Sequence, residues 1–180
     1  MRLRALGSAC GLGLCGLLSH AAWGDDTPLR QGASLFFISK SENRNQVAYA
    51  IHLDAECRPV GDAPVYAYWL MLERSPDAVE PLLPREKGAY GLGGQHVVPF
   101  GESGGTVIAS LRSLPDRKIV VHTRRQNGIC LADATTRIAD TPARLFNVHA
   151  RLAWPFGVAS LEIAGWAESD GHVVRETVRP

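Results

Sequence analysis

The fold of this chain is decided by the stretch 47–53, which reads VAYAIHL. Every second residue from Val47 to Leu53 is aliphatic and large or aromatic, and two alanines and a histidine lie between them. Successive side chains of a strand point to opposite faces of a sheet, so this period of two predicts a strand with one strongly apolar face.

Similar short patterns follow along the chain, separated by turn residues. Apolar runs at 35–38 and 65–72 predict buried strands, and the pairs Asn127-Gly128 and Asp170-Gly171 predict hairpin turns. The one helix candidate is the segment 84–91, where a single turn would precede Gly88. The sequence therefore predicts an all-β fold, a single antiparallel β-sandwich or barrel of about nine strands with at most one short helix.

The first 24 residues have the composition of an export leader. Arg2 and Arg4 precede an uncharged run rich in Leu, Gly and Ala, and small residues follow at Ala22 and Gly24. This order predicts a signal peptide at 1–24, with cleavage before Asp25. The apolar run is short for a membrane span, so we expect no transmembrane anchor after cleavage, and a retained anchor is the alternative.

The remaining chain would then divide into a flexible N-terminal segment, 25–32, and a single β-rich domain, 33–180. Cleavage would leave 156 residues with 17 cationic and 18 acidic side chains. Because this balance has no basic excess, nucleic acid is not an expected partner. The leader predicts a periplasmic or secreted location, in which an unknown small molecule or an envelope protein is the expected partner.

Two cysteines, Cys57 and Cys130, lie beyond the leader. An even number of cysteines in an oxidising compartment suggests a disulfide. The alternative is two unpaired buried thiols, and sequence spacing alone does not test the geometry of a bridge.

Several short strings resemble one protein family in their order and spacing. They are Leu35–Ser41, Asn43–Asn45, Val47–Tyr49, Pro64–Trp69, Glu86–Gly91, Val158–Gly165, Asp170-Gly171 and Glu176–Pro180. Together they resemble a family of exported bacterial proteins known as domain of unknown function 4833. The resemblance implies an exported single-domain protein and implies no activity. Cys57 stands where the family pattern has a turn glycine or asparagine, and Ser39-Lys40 replaces an acidic–basic pair.

The strings that carry the resemblance also contain the candidate site residues. These are Asn43, Asn45, Tyr68, Glu86 and Tyr90. In a pocket, Glu86 could act as a general base and Tyr90 as an oriented hydrogen-bond donor. The alternative is structural: the asparagines would form Asx turns, the tyrosines would close the core, and Glu86 would fix its loop by an ion pair.

Other candidates are weaker. Trp69, Trp154 and Trp166 could form an aromatic wall for an apolar ligand, although core packing uses the same residues. Arg124 joins Trp69 among the candidate binding residues. His122 is a second possible partner for Glu86, and it could share a metal with His149 only if their strands were neighbours. No metal site and no cofactor are predicted.

These observations lead to three hypotheses. The first is a non-catalytic envelope protein that binds a ligand or a partner through one end of its β domain. The second is a small periplasmic hydrolase that uses Glu86 with Tyr90 or His122. The third is a purely structural envelope role.

Overall fold

The computed structural model describes residues 29, 32–99, 104–153 and 157–179. Within these residues the chain forms eleven strands and one short helix. The strands are β1 (Ala33–Lys40), β2 (Asn43–Ile51), β3 (Val65–Leu70), β4 (Val79–Pro81), β5 (His96–Pro99), β6 (Gly105–Leu111), β7 (Leu114–Gln126), β8 (Ile129–Ile138), β9 (Thr141–Ala153), β10 (Gly157–Ala167) and β11 (Val173–Val178), and the helix α1 is Lys87–Tyr90.

The strands form one sheet in the order β4-β3-β2-β1-β9-β8-β7-β6-β5, with β10 paired to β9 and β11 paired to β10. The long strand β9 explains this branching. Its first residues pair with β8 and residues 147–150 pair with β1, while β10 runs along its other edge. Because one edge of β9 serves two strands in succession, the sheet curls, and it remains an open sheet.

The predicted all-β class is confirmed, with one correction to the strand pairing. The described residues form nine to eleven strands, depending on whether the shortest are counted, in agreement with the nine or so predicted. The pairing is antiparallel except between β1 and β9, which run parallel. The predicted sandwich or closed barrel is not confirmed, because the described strands form a curled open sheet, a half-barrel. Among the described residues, no helix is long and apolar enough to cross a membrane.

Both predicted hairpins are present. Gln126 pairs with Ile129 across Asn127-Gly128, and both turn residues have positive φ, 53° and 79°. Only a residue that tolerates left-handed backbone suits such a two-residue turn. The second hairpin joins β10 to β11 through a turn that contains Gly171, at φ 75°.

The main core lies on the inner face of the curled sheet. Tyr49 is fully buried at its centre, with its ring stacked 4.3 Å from that of Phe36. A smaller cluster covers the outer face of β2 and β3, where Ala48 and Ala50 pack with Tyr68. Residues 47–51 of β2 are thus buried on both faces, which explains why Ala48 and Ala50, the residues that face the smaller cluster, are small and apolar.

The disulfide between Cys57 and Cys130 forms, with the Cα atoms 5.2 Å apart. It ties the loop after β2 to the β7–β8 hairpin. Cys57 is fully buried and has a φ of 64°, which fits the turn position at which the family pattern has glycine or asparagine. Its carbonyl oxygen accepts a hydrogen bond of 2.8 Å from the buried hydroxyl of Thr123.

Candidate functional site

The ends of the first four strands meet at one rim of the sheet. Lys40 ends β1, Asn45 lies near the start of β2, and Trp69 lies near the end of β3, where it pairs with Glu80 of β4. Register places these residues on the same face as the core, because Ile38, Val47 and Trp69 are successive cross-strand partners. The segment 82–91, which contains α1, follows β4 at this rim.

A cavity of about 310 Å³ opens at this rim, and we call it the Trp69 cleft. Its polar lining comes from Lys40, Asn45, Glu80 and Glu86. Its apolar lining comes from Trp69, Met71, Pro81 and Leu83. Three of the residues singled out in the sequence, Asn45, Trp69 and Glu86, therefore lie around one cavity.

Glu86 holds the loop that forms one wall of the cleft. Its Oε2 atom accepts a hydrogen bond of 2.9 Å from the indole Nε1 of Trp69 and another of 2.9 Å from the backbone N–H of Leu83. The bond to Trp69 fixes the loop to β3, and the bond to Leu83 lies within the loop. Among the described residues, Glu86 does not form the ion pair that the structural alternative proposed.

Trp69 is enclosed on several sides. Only 8% of it is exposed, and the ammonium of Lys40 lies 4.8 Å from the centre of its ring, a cation–π contact. The Tyr90 ring approaches edge-on at 5.3 Å between centroids. The Lys40 side chain therefore lies over the indole within the cleft.

Tyr90 ends α1 and joins this wall to the core. Its carbonyl oxygen accepts a hydrogen bond of 2.6 Å from the Tyr49 hydroxyl. Burial raises the pKa of the Tyr90 hydroxyl, and the nearby carboxylates of Glu86 and Glu42 add to the rise. The hydroxyl is therefore neutral near pH 7 and can donate a hydrogen bond, but it is a poor source of phenolate.

The helix lies within the predicted segment 84–91, but its turn lies later than predicted. The sequence predicts a single turn that precedes Gly88, whereas α1 is Lys87–Tyr90 and contains Gly88. Gly91 follows it with extended backbone, and its N–H bonds to the Lys87 carbonyl. Contacts of Tyr90 with Tyr49 and Trp69 explain why the helical turn extends over a glycine, against its low intrinsic propensity.

Asn43 forms a local Asx turn, as in the structural alternative, whereas the side chain of Asn45 bonds to a distant segment. The Oδ1 of Asn43 accepts a hydrogen bond of 3.1 Å from the backbone N–H of Asn45. The Oδ1 of Asn45 accepts another of 3.1 Å from the backbone N–H of Glu73. These bonds tie the β1–β2 turn to the segment after β3, so Asn45 both lines the cleft and shapes its rim.

Tyr68 does not join this site. Its side chain points to the face of β3 opposite to that of Trp69 and is buried in the smaller outer cluster. Its ring centroid lies 5.9 Å from that of Tyr66. Adjacent strand residues point to opposite faces, so Tyr68 and Trp69 belong to different surfaces.

His122 and Arg124 lie on a separate surface of the sheet, which we call the Arg124 surface. They line a concavity of about 420 Å³ together with Asp133, Arg144 and Trp166. Asp133 accepts hydrogen bonds from Arg124 and, at 3.1 Å, from Arg144. Burial would raise the pKa of Asp133, but the two guanidinium groups outweigh it and hold the pKa below its usual range.

The remaining tryptophans do not form a common wall with Trp69. Trp166 is 38% exposed, with the Arg144 guanidinium 4.8 Å from its ring and Phe146 at 4.3 Å. It lines the Arg124 surface and not the Trp69 cleft. Trp154 lies outside the described residues.

The structure also brings together residues that the sequence did not connect. The Oγ of Ser39 lies 3.0 Å from Nδ1 of His149 and 3.2 Å from Oδ1 of Asn147. The parallel β1–β9 pairing places them side by side, and no local sequence signal indicates it.

His122 is on β7, separated from β9 by β8, so the condition for a shared His122–His149 metal site is not met. Within the described parts of the chain, no group of three or more His, Cys, Asp or Glu side chains could hold a metal ion.

A larger cavity, of about 720 Å³, contains none of the predicted site residues. Arg117 and Glu176 form part of its wall and are linked by an ion pair of 2.9 Å. Glu176 also accepts a hydrogen bond of 3.0 Å from the backbone N–H of Ala139. These contacts tie β11 to the β7 and β8 ends of the sheet.

The fold and the cleft define a disulfide-linked, almost purely β protein with a small aromatic and carboxylate-lined cavity at one rim. Residues 36–177 match the family described as Domain of unknown function (DUF4833), and the chain belongs to this family. The chain matches no curated protein and no solved structure.

Replacing Glu86 tests its role in holding the cleft wall. We expect Glu86→Ala to lower the free energy of unfolding by about 1–3 kcal/mol, because the indole N–H of the buried Trp69 loses its acceptor. Glu86→Gln keeps an acceptor oxygen of the same reach and is expected to cost less than about 1 kcal/mol. Urea unfolding of both variants measures the difference, and equal stability of wild type and Glu86→Ala would contradict it.

Proposed function

We propose that this chain is exported to the periplasm or beyond, and that its mature form binds a small ligand in the Trp69 cleft without converting it. The observation that carries the proposal is the meeting of Asn45, Trp69 and Glu86 around one cavity. These residues come from three separate strings that are close only after folding.

The size of the cleft limits the ligand. Ligand cavities commonly have volumes of roughly 300–1,000 Å³, and the Trp69 cleft, at about 310 Å³, is at the lower end of this range. Its walls combine an indole and aliphatic side chains with a few charged groups, which is the usual composition of a small-molecule site. A compact ligand with one polar group and one apolar part fits such a lining.

Binding is favoured over hydrolysis by how the candidate catalytic groups are engaged. The Oε2 atom of Glu86 already accepts two hydrogen bonds, from the Trp69 indole and the Leu83 backbone, so this oxygen holds the cleft wall. The raised pKa of the Tyr90 hydroxyl suits a donor. His122, the other proposed partner of Glu86, lines the Arg124 surface and not the Trp69 cleft.

Export is supported by the leader pattern of residues 1–24 and by the Cys57–Cys130 disulfide, since such bonds persist in oxidising compartments. The full chain should be expressed in a Gram-negative host, fractionated, and its intact mass measured. We expect the periplasmic or secreted form to begin at Asp25. Recovery of the uncleaved chain in the cytoplasm alone would contradict export.

Ligand binding is tested by native mass spectrometry of the mature protein purified from cells. We expect a bound small molecule that survives purification, and a reduction of its occupancy by about tenfold in Trp69→Phe, since the indole N–H and part of the aromatic surface are lost. Trp166→Phe is the matched control, because Trp166 lies on a different surface. Equal occupancy in both variants would contradict a site at Trp69, and a co-purified protein in place of a ligand would support a partner-binding role.

A further inference from the structure

The position of Lys40 indicates the chemical class of the ligand, an inference that rests on the proposed function. The Lys40 ammonium lies 4.8 Å from the centre of the Trp69 ring. Because only 8% of Trp69 is exposed, a ligand reaches the indole face only after the Lys40 side chain moves away. The cleft thus already holds a cation over an aromatic ring.

The other charged side chains of the cleft are carboxylates. Glu86 uses Oε2 for both of its described hydrogen bonds. Glu80 uses Oε1 for its ion pair of 2.7 Å with Arg74. Among the bonds described, each carboxylate therefore has one oxygen atom that carries none of them. Lys40 is the one cationic side chain in the lining against two anionic ones.

This arrangement favours a cation over an anion as the ligand. An anion at Lys40 would share the small cleft with the carboxylates of Glu86 and of Glu80, the latter already paired with Arg74, and like charges repel. A cation that replaced the Lys40 ammonium would keep the attraction of the indole face and gain the carboxylates as partners. The Lys40 side chain, free to turn toward solvent, would keep its own hydration.

We propose that the Trp69 cleft binds a small amine or quaternary ammonium compound, whose cationic group displaces the Lys40 ammonium from the Trp69 ring. Lys40 is then a competitor that occupies the site in the absence of ligand and sets its affinity. A ligand of this class is recognised by the indole face together with the carboxylates of Glu80 and Glu86.

The test uses choline and its uncharged isostere 3,3-dimethylbutan-1-ol as probes, with hexanoate as an anionic probe. Binding is followed by the indole ¹H–¹⁵N resonance of Trp69, assigned by comparison with Trp69→Phe. We expect choline to bind the wild type at least about tenfold more tightly than the neutral isostere. We expect Lys40→Ala to tighten choline binding by a further factor of about ten, with Lys40→Met, which keeps a covering side chain, in between.

Lys118→Ala is the matched control, because Lys118 is an exposed lysine that lines another cavity, and it should leave choline affinity unchanged. Equal choline affinity in wild type and Lys40→Ala would overturn the proposal. So would tighter binding of hexanoate that is lost in Lys40→Ala, although ligand binding at Trp69 would then stand. A Trp69-dependent ligand in native mass spectra, combined with no choline response, would likewise overturn the ligand class and leave the proposed function intact.

Discussion

The free energy of unfolding of residues 25–180 is expected to fall by about 4 kcal/mol when Cys57 and Cys130 are both replaced by serine. The disulfide joins residues 73 positions apart, so its loss releases a long closed loop in the unfolded chain. The chain-entropy relation gives this magnitude for a loop of such length. Guanidinium unfolding of wild type and double variant measures it.

Reduction provides the matched control for this prediction. A thiol reductant should destabilise the wild type by a similar amount and leave Cys57→Ser/Cys130→Ser unchanged, since the latter has no bond to lose. A double variant as stable as the oxidised wild type would mean that the bond contributes nothing. The β7–β8 hairpin and the loop after β2 would then be held by their other contacts, such as the Thr123 hydroxyl on the Cys57 carbonyl.

Tyr49→Ala is expected to lower the free energy of unfolding by about 3–5 kcal/mol, as loss of a large buried ring does. Tyr49 is fully buried, stacks on Phe36, and donates its hydroxyl to the Tyr90 carbonyl. Burial raises the pKa of this hydroxyl, so it remains a donor at all ordinary pH values. Urea unfolding with a common m-value gives the loss.

Tyr49→Phe separates the two roles of this residue. It keeps the ring and removes only the hydroxyl, so we expect a loss of about 1 kcal/mol. The freed Tyr90 carbonyl should loosen the wall of the Trp69 cleft, seen as faster amide exchange over residues 86–91. A Tyr49→Phe variant as unstable as Tyr49→Ala would show that the hydroxyl, rather than the ring, dominates.

Local sequence patterns predicted the elements of the fold well. The alternation at 47–53 and the turn pairs at 127–128 and 170–171 all led to strands and hairpins that are present. These signals depend on side-chain period and on backbone φ, both of which are properties of a few neighbouring residues. The strand β4 escaped notice because three residues, Val79–Pro81, are too few to show a period.

The sequence predicted the pairing of these elements less well than their positions. The parallel pairing of β1 with β9 joins residues more than a hundred positions apart, and it depends on β9 being long enough to serve β8 and β1 in turn. No local pattern encodes a partner at such separation. The same pairing produced the unforeseen contact of Ser39 with His149.

The candidate site likewise combines features that the sequence predicts with contacts that depend on the tertiary structure. Family-like strings drew attention to Asn43, Asn45, Tyr68, Glu86 and Tyr90, and folding gathered most of them near one rim. Tyr68 and Trp69 are adjacent in β3 and therefore point to opposite faces of the sheet, which the alternation of side chains in a strand already implies. The hydrogen bond between Glu86 and the indole N–H of Trp69 depends on the path of the loop after β4. The contact of Lys40 with the same ring depends on the pairing of β1, β2 and β3.

By itself, the sequence determined that this chain forms strands, where two of its hairpins turn, and which residues carry polar groups suited to a site. Only the tertiary structure decided that the sheet curls around one core, that Cys57 meets Cys130, and that Lys40, Trp69 and Glu86 share a cleft. The reason is physical: strand and turn preferences are set by adjacent residues, whereas pairing and burial are set by the balance of contacts across the whole chain.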